Sequence, residues 1–405
     1  MLKKIGVPAA RFLYEKSLRY LAKNNPHSAR VVPDGASAPV FMLHTGASLK
    51  GGGIDHLKPW IPLLDALGME YIVVTRMMDV YERMTVDYPH VRTSLVKSSA
   101  DADALLEAFP SLAGFFYLSN TANCNQFLRY PGYRHVFLGH GDSDKHASMN
   151  RLFKAYDEIF VAGQAHIDRF AAADFDASAM HFRIIGRPDS RPLLAGLEQR
   201  QRGAPHIIYI PTWEGYYADQ NYSSLALAAS LLETAHRVSG LPIIGKLHPV
   251  TGAVREEYRN SDKRIAKQLG LDASQLRFVD RHGKLTDLLD PAAIYICDIS
   301  ATVSECLVMD RPIFVYIPRD QQVRIINSRL SYSDYAYTFS SAEELGRKLD
   351  RVVNGDDWLA EARRKARDYF ITPKATLSGA FEQAMRSIAA RDREAPGMRV
   401  AGVRG

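Results

Sequence analysis

Four short polar stretches carry the residue types that chemistry needs. GHGDSDKH (Gly139–His146) sets His140 between two glycines, directly after an apolar run. A histidine titrates near neutrality and can take a proton from an alcohol, and the flanking glycines free the backbone to place the ring. Lys145, in the same loop, can offset phosphate charge. KLHP (Lys246–Pro249) puts a cation and an imidazole, Lys246 and His248, at one strand mouth, a pair suited to a developing phosphate charge. An exposed His-Pro at an ordinary turn makes the same pattern. Asp298, Ser300 and Thr302 follow the apolar run AAIYIC and are short polar side chains that cap helix starts. A helix start presents unpaired N–H groups and partial positive charge, which suits a phosphate. Glu305, one turn further in, is within reach of a ribose. A well-capped structural helix accounts for these residues equally. The fourth stretch is PTWEGYY (Pro211–Tyr217).

A metal site competes with the histidine base as a reading of this loop, because His140, Asp142, Asp144 and His146 alternate. The glycines argue for a turn over a flat strand, and mixed histidine and carboxylate sets are weakly diagnostic of a metal. No metal and no cofactor is assigned.

These stretches need strand ends to hold them, and the chain supplies an alternation of short strands and helices. Apolar runs without polar alternation predict strands buried on both faces, as in parallel sheets. They fall at Val40–Leu43, Tyr71–Thr75, Val91–Val96, Gly114–Leu118, His135–Leu138, Glu158–Ala162 and Phe182–Ile185 in the first half. In the second half they fall at His206–Ile210, Pro242–Leu247, Leu276–Val279, Ala292–Cys297 and Ile313–Ile317. Helices are predicted between them, among others at Ile54–Leu67, Ser223–Val238, Val254–Leu269, Thr302–Met309, Ala342–Val353 and Lys374–Ala390. The loop HTGASLKGGG (His44–Gly53) matches no nucleotide-binding glycine motif, so no nucleotide is assigned to it. Each polar stretch follows a strand, and open α/β sheets bind ligands at the carboxyl ends of their strands.

At 405 residues the chain exceeds one ordinary core, and two domains are expected. Apolar and charged fractions of 46% and 24% are those of a soluble globular protein. The net charge of +6 fits anionic ligands or an anionic membrane surface and is too diffuse to argue for nucleic acid. Three cysteines, Cys124, Cys297 and Cys306, form no CxxC pair, which suits a reducing cytosol. No stretch has the length and apolarity of a transmembrane helix. Met1–Asn25 reads as a basic amphipathic helix that can lie on an anionic bilayer or pack on its own domain. The expected divisions are 1–37 for this helix and a linker, 38–190 for a first α/β domain, 191–205 for an interdomain linker, 206–390 for a second α/β domain, and 391–405 for a basic tail.

GHGDSDK, GRP, IPTWEG, KLHP and DISATVSECLVMDRPIFVY occur in an order and spacing that resemble the CDP-glycerol glycerophosphotransferases, the teichoic-acid primases and polymerases. The resemblance covers about residues 130–385. It implies an α/β, GT-B-like fold of two Rossmann-like domains whose parallel sheets face across a cleft. The 38–190 domain would take the acceptor and the 206–390 domain the nucleotide donor. It implies transfer of glycerol phosphate from CDP-glycerol to an acceptor hydroxyl with release of CMP, at the inner face of the cell membrane and without a required metal. By position, His140 matches the general base and Lys145 the lysine after it. His248 matches the histidine at the donor diphosphate and Ser300 the serine on the phosphates. Glu305 stands where the family has aspartate, and Ala301 replaces a second serine, with Thr302 one residue on as a substitute. On this reading Thr212 lines the donor cleft and Lys246 supports His248. The expected partners are a CDP-glycerol or CDP-alditol donor, a lipid-linked or glycan acceptor and an anionic membrane, with no nucleic acid. Rival readings are a nucleotide-sugar glycosyltransferase or 2-epimerase of the same fold, and a catalytically silent α/β binding protein.

Overall fold

The computed structural model describes residues 38–139, 150–196, 204–217, 221–319, 325 and 328–390. The expected amphipathic helix at Met1–Asn25, most of the GHGDSDKH loop and the basic tail lie outside these residues.

Thirteen strands are present among them: β1 (Phe41–Thr45), β2 (Tyr71–Thr75), β3 (Thr93–Leu95), β4 (Gly114–Tyr117), β5 (Arg134–Phe137), β6 (Glu158–Val161), β7 (Phe182–Ile184), β8 (His206–Ile210), β9 (Ile243–Gly245), β10 (Leu276–Phe278), β11 (Ala292–Asp298), β12 (Ile313–Tyr316) and β13 (Tyr337–Phe339). They form a seven-stranded sheet in the order β3-β2-β1-β4-β5-β6-β7 and a six-stranded sheet in the order β10-β9-β8-β11-β12-β13. Every described pairing is parallel.

The chain divides into two compact units. One takes the residues up to Leu57, Leu64–Leu138 and the chain from Arg386; the other takes Lys58–Leu63 and Gly139–Met385. In the second unit, alternate residues of each central strand enter opposite cores. Ile208, Ile210, Tyr295, Cys297, Ile313 and Val315 pack into one cluster. Ile207, Tyr209, Ile294, Ile296, Phe314 and Tyr316 pack into the other. Both faces are apolar because both are covered by helices, and for that reason these strands show no alternation in the sequence.

Helix Ala342–Val353 lies where its pattern predicts. Ser341 accepts the Glu344 amide as an N-cap, and Leu345, Leu349 and Val352 form the buried stripe. Other helices are shorter than expected. Ile54–Leu67 is broken into Gly53–Leu57 and Ile61–Ala66, because Pro59 lacks the N–H that would continue the first helix, whereas Pro62 sits in the first turn of the second, where no N–H partner is needed. Lys374–Ala390 is broken into Pro373–Leu377 and Ala380–Ala389 at Gly379, whose φ of 76° takes the chain out of the helix. Residues expected to begin a linker instead form helix Arg191–Ala195. Helix Met78–Asp87 and the three-residue edge strand β13 have no clear sign in the sequence pattern. The helix buries only Val80, Tyr81 and Met84, and β13 is too short to show a period.

Candidate functional site in the second unit

Strand order in the six-stranded sheet reverses between β8 and β11. Chains leaving such neighbouring strands run in opposite directions, which opens a crevice at their carboxyl ends. The loops there are 211–217 after β8, 246–255 after β9 and 298–302 after β11, which include three of the four polar stretches.

Two buried carboxylates tie these loops together. Asp298 is fully buried, and its Oδ2 accepts the backbone amides of Thr212 at 2.8 Å and Ser224 at 3.0 Å. Glu214, also fully buried, accepts the amide of Gly252 at 3.0 Å and those of Val254 and Arg255 at 3.1 Å each. Asp298 therefore secures the β8 and β11 loops, and Glu214 secures the β8 and β9 loops. Asp298 is thus an inward carboxylate engaged with backbone amides. Thr212 is buried, and its carbonyl accepts the Ser223 hydroxyl at 2.8 Å.

Ser300 occupies the N-cap position of helix Ala301–Cys306 in extended backbone, but its side chain makes no capping bond. Its hydroxyl meets the Asp298 carbonyl at 3.2 Å and the Thr302 hydroxyl at 2.7 Å. The predicted cap is thus a pair of hydroxyls joined to each other at the helix entrance. The helix is also shorter than expected and continues as a 3-10 turn over Leu307–Met309.

Lys246 is buried and its ammonium donates to the Arg281 carbonyl at 2.8 Å. His248 Nδ1 accepts the Val250 amide at 3.3 Å, and its ring stacks on Trp213 with centroids 6.3 Å apart. The Nδ1 contact favours the tautomer that carries its proton on Nε2. Trp213 meets Tyr216 edge to face at 4.9 Å.

Glu305 is mostly buried, with 18% of its side chain exposed, and pairs with Arg187 at 3.0 Å. Burial pushes its carboxyl up; the Arg187 guanidinium opposes this, Asp189 adds to it, and Lys246 opposes it. Lys246 is therefore near enough to act on Glu305 electrostatically. Arg187 arrives from the GRP segment. Gly186 has φ of 71°, and a Cβ there would meet the Thr376 amide nitrogen at 2.6 Å, so only glycine lets the chain pass this close. The Arg187 amide then donates to the Thr376 hydroxyl at 2.8 Å.

The structure thus gathers Thr212, Lys246, His248, Asp298, Ser300, Thr302 and Glu305 on loops and a helix start at one end of this sheet. His140 and Lys145 lie outside the described residues. Arg187, Trp213 and Glu214 were not singled out from the sequence, although the GRP and IPTWEG motifs contain them. Among the described residues, no three His, Cys, Asp or Glu side chains converge as metal ligands would. Cys297 and Cys306 are fully buried and face each other in the core at 3.8 Å, and burial drives the Cys306 thiol well up.

Two parallel α/β sheets, the second with its polar loops at the reversal of strand order, make this a protein of the GT-B-like class. Solved structures that share the fold include the following. The wall teichoic acid polymerase TagF superposes with a TM-score of 0.54 at 13% identity, covering 94% of this chain and 95% of that chain. A putative UDP-N-acetylglucosamine 2-epimerase from Listeria monocytogenes gives 0.53 at 10% identity, covering 88% and 98%. MurG from Acinetobacter baumannii gives 0.51 at 13% identity, covering 86% and 100%. Another structure is of a TagF variant soaked with CDPG. No curated protein sequence matches the chain. Residues 138–375 match the family described as CDP-Glycerol:Poly(glycerophosphate) glycerophosphotransferase, and the chain belongs to that family. It is accordingly a transferase of the glycerophosphotransferase type, with CDP-glycerol as its donor.

Proposed function

We propose that the enzyme carries glycerol phosphate, or a related alditol phosphate, from its CDP-activated donor to a hydroxyl of a teichoic-acid-like cell-surface polymer. The observation that carries this reading is the cluster of Lys246, His248, Ser300, Thr302 and Glu305 where strand order reverses in the six-stranded sheet. The donor diphosphate rests at the start of helix Ala301–Cys306, where no side chain caps the first turn and the Ser300 and Thr302 hydroxyls stand together. Glu305 accepts from the ribose. Thr212 shapes the crevice from the β8 side.

His140 takes the proton of the acceptor hydroxyl, and the freed oxygen attacks the β-phosphorus. A new P–O bond forms as the bond to the bridging oxygen breaks, and CMP leaves with that oxygen. His248 stabilises the leaving CMP by donating from Nε2, and Lys246 and Lys145 offset the charge. Phosphoryl transfer demands chiefly positioning and neutralisation, which this set of groups supplies. His140 and Lys145 enter on their places in the family motif.

On this reading the 38–190 domain takes the acceptor and the 206–390 domain the donor. The acceptor is a lipid-linked or glycan hydroxyl, and the protein works in the cytoplasm, held peripherally at the inner membrane face. The net charge of +6 and the basic pattern of Met1–Asn25 support the membrane contact. Among the described residues no helix is long and apolar enough to cross a membrane.

The test is binding and turnover together. CDP-glycerol should raise the melting temperature, with UDP-sugars leaving it unchanged. His140→Ala should lose about 10²–10⁴ in turnover and keep nearly all of its donor affinity. Equal loss of binding and turnover would remove His140 from the base role. Release of UDP in place of CMP would favour a glycosyl donor.

A further inference from the structure

We infer that Arg187 is a positioning residue for Glu305, and that the pair is the element by which this enzyme distinguishes a ribonucleotide donor from its 2′-deoxy counterpart. The inference rests on the reading of Glu305 as the ribose contact and extends it to a residue from another part of the chain.

The base of Arg187 is fixed on both sides. Before it, Gly186 presses against the Thr376 backbone, and the Arg187 amide bonds the Thr376 hydroxyl. After it, the Pro188–Ser190 turn leads to Arg191, which donates to the Thr376 carbonyl at 3.1 and 2.9 Å and pairs with Glu382 at 2.6 Å. A guanidinium held this way has few positions open to it. Its side chain is 11% exposed, and one terminal nitrogen meets Glu305 Oε1 at 3.0 Å. Glu305 Oε2 takes no hydrogen bond from any described residue. The geometry therefore engages one carboxylate oxygen with Arg187, and among the described residues no bond engages the other. An ionised carboxylate accepts from hydroxyls more strongly than a protonated one, which must itself donate.

Among the charges around Glu305, the Arg187 guanidinium is the main influence opposing the upward push of burial on its carboxyl. Asp189 is the opposing carboxylate, 3.9 Å from the Arg187 guanidinium. Lys246 adds a second cation from the β9 loop, and Cys306 follows Glu305 on its own helix. Burial raises the Glu305 carboxyl, so loss of Arg187 frees it to rotate and raises it further.

The experiment compares kcat/KM for CDP-glycerol and 2′-deoxy-CDP-glycerol across pH, a ratio insensitive to how much of each variant folds. The wild type should prefer the ribo donor by about 10- to 100-fold, the worth of a hydrogen bond to a charged group. Arg187→Met should bring the preference to within about threefold of unity at low pH, mainly through KM, and recover part of it as pH rises. Arg187→Lys should restore part of it at every pH. Glu305→Gln should lose the preference without pH dependence, and Arg187→Met added to it should change nothing more. A wild type indifferent to the 2′-hydroxyl overturns the ribose reading of Glu305 and this inference with it. A wild type that discriminates, with Arg187→Met discriminating equally, overturns this inference alone. So does an Arg187→Met effect that is equally large in the Glu305→Gln background.

Discussion

Asp298 Oδ2 holds the backbone amide of Thr212 at 2.8 Å, joining the strand ends on either side of the point where strand order reverses. The same oxygen takes the Ser224 amide at 3.0 Å. The position of the start of helix Ala301–Cys306 relative to the PTWEG turn is thus set by a carboxylate that faces the core. Replacing it by Asp298→Ala leaves two buried amides without their acceptor. The expected cost is about 2–5 kcal/mol in denaturant unfolding of the purified chain. A loss under about 0.5 kcal/mol would show that water or a shifted loop takes over both bonds.

Glu214 makes a local prediction of a different kind. Glu214→Gln removes the charge and one acceptor oxygen from a site that satisfies three amides. The amides of Gly252, Val254 and Arg255 should then exchange with solvent about ten times faster or more, and the KM for CDP-glycerol should rise with kcat less affected. Unchanged exchange at these three positions would mean that the β9 loop is held by other contacts.

His248 should act on turnover more than on affinity. Removing one donor from a developing phosphate charge costs about 10²–10³ in rate, so His248→Ala should lower kcat by that factor and leave CDP-glycerol binding within a few-fold. Trp213→Leu, which removes the ring stacked on the imidazole, should give a smaller loss of the same type. Steady-state kinetics alongside calorimetric binding separates the two parameters. A change confined to KM would make His248 a binding residue only.

In the first unit, His44 gives a pH prediction. Its ring is fully buried, and burial, aided by Arg76, pulls its pKa down to about 3. Its Nε2 has no hydrogen-bond partner among the described residues. The unfolded chain binds a proton at His44 near the ordinary value of about 6.5, whereas the folded chain binds none until about 3. Stability is therefore highest above the ordinary value and falls as pH drops through the interval between the two. The loss approaches about 1.4 kcal/mol per pH unit. His44→Gln should flatten this slope relative to the wild type in urea unfolding at a series of pH values. Parallel slopes would show that the buried ring picks up its proton by a local opening.

Much of this architecture is visible in the residues themselves. After His206, the residues of HIIYI and all of AAIYIC are apolar or aromatic because alternate side chains enter two different cores, and an uninterrupted apolar run is the right sign for such strands. Ser341 before Ala342 marks a helix start that the structure reproduces. The strand-end location of KLHP, PTWEG and DIS was legible for the same reason, since each follows such a run. The direction of individual side chains was not. Nothing in DIS says that Asp298 turns inward while Ser300 and Thr302 bond each other, because that depends on amides supplied by residues after β8. Nor does GRP announce a partner in Glu305, far along the chain, until Thr376 is seen pinning its backbone. The helices are shorter than the pattern predicts where Pro59 and Gly379 interrupt a stripe whose apolar spacing continues past them.

The two inward carboxylates have a practical consequence for redesign. Five amides, on Thr212, Ser224, Gly252, Val254 and Arg255, are held by two carboxylates, Asp298 and Glu214. An inserted residue in any of these segments would pull an amide out of register. A new donor preference is better sought by exchanging Trp213, Ser300 or Thr302 in place than by lengthening a loop.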